Sequence, residues 1–507
     1  MSEQGSLADD RINQSFGYKQ ELRRALKLFS LYAVAFSIIS ITTGISLNYA
    51  AAIGAMGPAS IWLWIVASLG QMLIALVVAE LGTRIPLAGY SYQWGARLVN
   101  TAYGWFTGFI GLAYLSVGAA AINFLVVAPL VATLLQPVLH TDPGNATTNL
   151  VITLVIFAAN LVINILSIAL AARINNVAVF TEIVGMVGFA LIVSIASAIH
   201  PNHGIGFLFT TGSANTAGLI LVALPAAALM GIFTIVGFEL AADLGEEAIG
   251  ARITVPKAVL WSVASSAILG LIALIGFTVA LPNDFSKIAA SATPLVDIVN
   301  QWLGQGLAIV FLLLVIFSIL ALDVVGLAAT GRLVFAMARD NILPGSGFLR
   351  RVNPQTQTPI RALLTASLLG LLFTLLGYYI TVTGTGKDAF FALVGATSTL
   401  PFIVYFLTVL AYVLRRERMA SLPEAFNLGT WAKPVMYAAL AWTLIALGLL
   451  MIPKIFWLTD AIVVVVIAIA GLWYFLVLRG RLTRGEAGVV QLSPPLGGGV
   501  PAKPGRG

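Results

Sequence analysis

The chain has 507 residues, 59% of them hydrophobic and only 9% charged, and its mean hydropathy is +0.99. So little polar surface excludes a soluble globular domain, and the absence of Cys excludes disulfides, thiolate metal sites and cysteine nucleophiles. The net charge of +7 is topological and does not point to nucleic acid. Lys and Arg gather in alternate connections between apolar runs, and only Lys287, Lys387 and Lys454 fall on the opposite side. That bias predicts cytoplasmic termini and a multi-pass protein of the plasma (inner) membrane.

Residues 1–28 read as a polar, amphipathic cytoplasmic tail (FGYKQELRRALKLF) without the pattern of a cleaved signal peptide. Residues 29–478 read as one membrane domain of twelve helices, each run being long enough to cross a bilayer core. Helix 1 (29–53) carries a Ser/Thr run around Gly44, and helix 2 (59–81) carries Gln71. AELGTRIPLAGYSYQWGARL follows as a cytoplasmic connection rich in turn residues and aromatics. Helix 3 (102–133) is long enough to require tilt and holds Tyr114 and Asn123. Helices 4 (149–170) and 5 (175–199) are joined at AARINN, and helix 5 places Glu182 on a stripe with Gly185 and Phe189. His140, His200 and His203 fall in short polar segments and read as solvated loop residues.

Helix 6 (218–247) is predicted to break at Gly237, next to Glu239, and helix 7 spans 255–281. An amphipathic outer segment (282–304) precedes helix 8 (305–338), where Asp323 shares a face with Gly326, Leu327 and Thr330. Helix 9 (360–379) precedes helix 10 (389–414), which carries Thr397, Ser398, Thr399 and Tyr405. Helices 11 and 12 (432–478) are free of buried charge, and residues 479–507 read as a disordered cytoplasmic tail rich in Gly and Pro. The first five helices (29–199) and the second five (218–414) would have opposite topology because five is odd. Broken helices at corresponding places, helix 1 and helix 6, point to a transporter binding site.

Backbone groups freed at such breaks must bond something inside the membrane, and an ion or zwitterion serves. The N-terminal end of a half-helix suits a carboxylate, and a C-terminal end suits a cation. The expected substrate-binding residues are therefore Ser40, Thr42, Thr43, Gly44 and Ile45 on helix 1, with Phe233, Val236, Gly237 and Phe238 on helix 6. A carboxylate at membrane depth costs roughly 2.5–3.5 kcal/mol on insertion scales and needs a partner or a use. Glu239, Glu182, Asp323 and Asp243 are thus the proton-coupling candidates, the plainer alternative being a hydrogen bond that braces the break. Glu246 and Glu247 are expected to form a solvated ion-pair cluster with Arg252 and Lys257, and Arg332 to pair structurally as part of a gate or lip.

SIISITTGI, AELGTRIPLAGYSYQW, IVGFELAADLGEE and RLVFAMARDNILP, followed by Thr358-Pro359, together resemble the amino acid–polyamine–organocation (APC) superfamily of permeases. FGYKQELRRALKLFS, SIISITTGI and GAMGP look like its amino acid/choline branch, which includes γ-aminobutyrate and choline permeases. The resemblance implies an all-α, leucine-transporter-like fold of two inverted five-helix repeats plus two C-terminal helices. It also implies substrate held between helices 1 and 6, closure by helices 3, 8 and 10, and alternating access. Phe233 looks like the gating aromatic, and Glu239 like the acidic residue after the break. Two departures stand out. Helix 1 has only Gly44 where many relatives are glycine-rich, and helix 5 carries Glu182 where some place a lysine, so a lysine-based coupling does not carry over.

The reading is a secondary active importer of an amino acid or small ω-amino acid, γ-aminobutyrate first, coupled to protons. Sodium is the lesser alternative, because helix 8 offers Asp323 rather than hydroxyls. Alternatives are a permease for choline, a polyamine or another organic amine, or a non-transporting nutrient sensor on the same fold. An enzyme is not expected, since the spans contain neither His nor Cys. No cofactor, metal or nucleic-acid partner is expected. The lipid bilayer is the partner, and monomer and homodimer stay open.

Overall fold

An apolar segment in lipid must satisfy its backbone polar groups internally, so each long hydrophobic run of this chain becomes a helix. The computed structural model describes residues 13–166, 168–199, 201–211, 218, 222–419 and 426–489. Among these, 11 helices are long and apolar enough to cross a membrane, and helix 6 adds an interrupted pass. The protein is an all-α membrane protein.

Helix 1 is split into Leu28–Ile39 and Ile41–Met56, and helix 2 runs Leu63–Arg84. Helix 3 runs from Thr101 to Leu139, with one wide turn at Asn123–Val127. Helix 4 (Ala146–Leu166) leads to helix 5, which spans Ile168–Ile199 with a second wide turn at Ile183–Val187. Helix 6 consists of Leu224–Thr234, a non-helical stretch, and a short turn Leu240–Asp243. Helices 7 (Ala251–Val279), 8 (Gln305–Arg339), 9 (Ile360–Thr383) and 10 (Gly386–Arg415) follow. Helices 11 (Ala432–Met451) and 12 (from Trp457) complete the bundle. Helix 6 packs on helix 1, and helix 3 packs on helices 8, 9 and 10. Large apolar side chains such as Val155, Phe180, Trp261, Leu368 and Leu472 remain exposed around the outside, the pattern of a lipid-facing belt.

Four expectations need correction. AARINN is helical, because Ala and Arg favour helix and no Gly or Pro interrupts them. These residues lie inside helix 5, which begins at Ile168, and helix 4 ends at Leu166. The aromatic connection after helix 2 is no surface loop: it folds into a helix, Tyr90–Leu98, in which every residue is buried. His203 is half-buried and stacks on Phe207 (3.7 Å between ring centroids), whereas His140 is exposed and His200 lies outside the described residues. The C-terminal segment is ordered as far as Val489, where Gly488 N–H donates to Asp340 O and Asn341 Nδ2 to Glu486 O. The expected disorder of 490–507 lies outside the described residues, and so does most of the start of helix 6.

The N-terminal segment also packs. Ala25 and Leu26 N–H both donate to Glu247 O, and Ile249 N–H returns to Leu26 O. Both terminal segments therefore meet the ends of helices 6 and 8 on one face, called here the terminal face.

Candidate substrate site between the broken helices

Helix 1 breaks at Ser40, which takes a left-handed conformation (φ 40°). The break was expected at Gly44, but Gly44 lies inside the second half-helix, where it serves close packing. A Cβ there would stand 2.0 Å from Thr234 Oγ1 of helix 6. Ser suits the break because its hydroxyl caps the new helix, accepting from Thr43 N–H at 3.1 Å. The next amide, Thr42 N–H, donates to Glu182 Oε1 at 3.0 Å, and Ser40 Oγ donates to the same oxygen at 3.1 Å. Glu182 sits immediately before the wide turn of helix 5, a distortion that often marks functional positions. The protein's own carboxylate thus occupies the half-helix N-terminus that the sequence reading assigned to substrate.

Helix 6 opens after Thr234. Gly237 has φ 88°, and a Cβ on it would lie 2.3 Å from Ile38 Cγ2, so only glycine fits both the conformation and the approach of helix 1. Gly237 N–H donates to the Tyr405 hydroxyl at 3.0 Å, and that hydroxyl donates to Glu239 Oε2 at 2.6 Å. Phe238 stacks on the Tyr405 ring, 5.5 Å between centroids and 14° from parallel. Glu239 Oε1 is buried without a hydrogen-bond partner. Asp243, four residues on, turns elsewhere: its Oδ1 accepts from Gly89 N–H in the buried connection after helix 2. The two carboxylates expected to act together therefore have separate partners.

Between helices 1, 3, 6 and 8 lies a small cavity of about 80 Å³. Of the expected residues, Thr43, Phe233, Val236 and Asp323 line it. Tyr114, Asn123 and Thr397 join them from helices 3 and 10. Ser40, Thr42, Gly44, Ile45, Gly237, Phe238, Glu239, Glu182 and Asp243 are buried behind or beside that lining and shape the breaks. Sequence reasoning missed Ile38 and Asn160 on the wall, and it missed Tyr405 as the strut joining helix 10 to helix 6. Tyr405 was visible as a polar residue in an apolar run, but no spacing rule names its partner 166 positions away.

The terminal face is shut. Arg332 grips Glu247 through two bonds, 2.6 and 3.3 Å, and Arg339 grips Glu246 through two, 2.8 and 3.0 Å. Glu246 Oε1 also accepts from Ala88 N–H at 3.1 Å. The expected solvated cluster is thus a buried one, and helix 8 supplies its arginines: both glutamates are only 1% exposed. Asp340 extends the seal by accepting from the hydroxyls of Tyr18 (2.7 Å) and Tyr92 (2.6 Å). Burial pushes the Asp340 carboxyl above its usual range, opposed by the neighbouring Arg339 charge and the two tyrosine bonds. Toward the other face, Ser46, Pro129, Pro294 and Phe390 border a wider space of about 540 Å³.

A bundle with two broken helices, a central cavity and a seal on one side only is the architecture of a secondary membrane carrier. The family described as amino acid permease matches residues 26–479, nearly the whole chain, and the chain belongs to that family. It is a transporter of amino acids or amines and not an enzyme. An uncharacterised amino-acid permease of Schizosaccharomyces pombe is 26% identical over 87% of this chain and 79% of its own length. The GABA-specific permease of Saccharomyces cerevisiae is 27% identical over 89% and 79%. A putative polyamine transporter of Candida albicans is 24% identical over 88% and 82%.

Proposed function

We propose that the protein imports a small amino acid or ω-amino acid across the plasma membrane by alternating access, driven by protons, with γ-aminobutyrate the first substrate to test. The observation that carries this reading is the cavity at the two breaks, lined by Asp323 and with Glu239 buried beside it, each carboxylate keeping one buried oxygen with no partner. An unpaired carboxylate at depth is costly, so it takes up either a proton or a cationic ligand, which is the property a coupled carrier needs. The likeness to the GABA-specific permease supports the substrate choice. With the terminal face taken as cytoplasmic on the strength of the Lys and Arg bias, the seal of Arg332 and Arg339 fits a carrier ready to load from outside.

A second reading, a permease for amines without a carboxylate, is favoured by the occupation of the helix 1 break by Glu182 and by the likeness to a putative polyamine transporter.

Uptake into proteoliposomes under imposed pH or sodium gradients, against a panel of amino acids and amines, tests both. The expected result is γ-aminobutyrate accumulation driven by an inward proton gradient, and a Glu239→Gln variant that loses gradient-driven uptake by tenfold or more. Unchanged uptake and pH profile in that variant would remove Glu239 from the coupling step.

A further inference from the structure

The cavity lining carries one carboxylate and several acceptors, together with two side-chain donors, the Tyr114 hydroxyl and the Asn160 amide. Asp323, on helix 8, is 6% exposed, and its Oδ2 has no hydrogen-bond partner. Asn123 lies against it at the wide turn of helix 3. The Asn123 amide nitrogen donates to Ala119 O at 2.9 Å, which leaves its Oδ1 buried and unpartnered as well. The hydroxyls of Ser116, Thr330 and Thr397 each donate to a carbonyl of their own helix, at 2.7–2.8 Å, and so turn only lone pairs outward. Among the described residues no Lys, Arg or His lines the cavity.

The backbone donors that a carboxylate ligand would need are already engaged. Thr42 N–H is held by Glu182, Thr43 N–H by Ser40 Oγ, and Gly237 N–H by the Tyr405 hydroxyl. A carboxylate entering this space meets the Asp323 carboxylate and none of these three amides, which leaves only the Tyr114 hydroxyl and the Asn160 amide to donate to it. An ammonium meets the Asp323 carboxylate, with the Asn123 amide beside it and no Lys, Arg or His in the lining to compete, which is the pairing that buried charges require.

We propose that Asp323, with Asn123, is the ammonium-binding subsite of this carrier, and that the cavity selects its substrates by a primary amine without requiring a carboxylate. The proposal rests on the transporter reading for its biological meaning but not for its test. γ-Aminobutyrate satisfies it through its amine, and so do butylamine and putrescine; butyrate, which keeps only the carboxylate, does not.

The test uses the purified full-length chain in detergent, where binding is read without transport. Thermal stabilisation is measured with γ-aminobutyrate, butylamine, putrescine and butyrate. The three amines should each raise the melting temperature at millimolar concentration and butyrate should not. Asp323→Asn should weaken amine binding at least tenfold, while Asp323→Glu, which keeps the charge, should retain part of it. Stabilisation by butyrate but not butylamine would overturn the proposal, as would an Asp323→Asn variant that binds amines as well as the wild type, or the absence of any amine effect. Should Asp323→Asn not fold, Asn123→Leu serves as the second probe, since it removes the amide beside Asp323, together with its bond to Ala119 O, and leaves the carboxylate in place. Amine binding that depends on Asp323 without any liposome uptake would sink the carrier reading and leave the subsite standing. Uptake that ignores Asp323 would do the reverse.

Discussion

Gly44 and Gly237 show how single residues set the distance between the two broken helices. Both face a side chain of the partner helix at a separation that leaves no room for a methyl group, Thr234 in one case and Ile38 in the other. Only Gly237 also needs its left-handed backbone. Gly44→Ala is therefore a purely steric perturbation, with the new Cβ 2.0 Å from Thr234 Oγ1. It is expected to destabilise by about 1–3 kcal/mol, the usual cost of overpacking a filled core. A thermal melt of the purified variant reads this directly, and adding Thr234→Gly should recover part of the loss. A melt unchanged by Gly44→Ala would mean that the helices separate freely at this crossing.

At the scale of elements, helix 8 joins the site to the seal. Asp323 faces the cavity near its middle, and Arg332 and Arg339 close the terminal face lower down. Breaking a buried ion pair by removing one partner costs about 3–5 kcal/mol, because the other charge is left uncompensated. Arg332→Ala is thus expected either to lower the melting temperature strongly or to open the terminal face. The natural absence of Cys makes the second outcome measurable: a single Cys at Thr43 should react faster with a thiol reagent applied from the terminal face in the Arg332→Ala background. A double replacement, Arg332→Met with Glu247→Leu, should regain much of the stability without regaining the alternation, since apolar side chains fill the space but do not come apart in water. Recovery of full transport by the double variant would show that the pair is not part of the gate.

Across the whole molecule, the two terminal segments act as part of the seal. Tyr18 from the N-terminal segment and Tyr92 from the connection after helix 2 converge on Asp340, and Gly488 from the C-terminal segment binds the Asp340 carbonyl. Burial holds the folded-state pKa of Asp340 above the ordinary carboxylate value of ~3.9, with Arg339 pulling the other way. A group whose pKa is raised on folding binds its proton more tightly in the folded state. Its contribution to stability is therefore fully present below the unfolded value and is lost as pH rises through the folded one. Asp340→Asn should flatten that part of the stability profile above pH 4, as followed by melting temperature against pH. An unaltered profile would assign the pH dependence to other carboxyls. The same region shows what was hard to read in advance. The N-terminal segment is polar and amphipathic, as a free tail would be, yet Leu22 and Leu26 are 2% and 1% exposed because an acidic pair at the end of helix 6 and an Arg-rich helix end lie beneath it.

The sequence by itself determined that the chain is an all-helical, multi-pass membrane protein, which of its carboxylates fall inside apolar runs and where helix 6 breaks. Those properties follow from local hydropathy, from the cost of a charge in hydrocarbon and from the single residue able to take φ 88° beside another helix. It left open the partners of those carboxylates, because partners separated by more than eighty positions have no spacing signal. Glu182 on the helix 1 break, Tyr405 on Glu239 and the Arg332–Glu247 pair are all of this kind. The break of helix 1 was misplaced by four residues for the same reason: Gly44 looks like a hinge in one dimension and is a packing contact with Thr234 in three. Tertiary structure alone decided which carboxylates are already engaged as helix caps and which, Asp323 foremost, still face the cavity with an oxygen to offer.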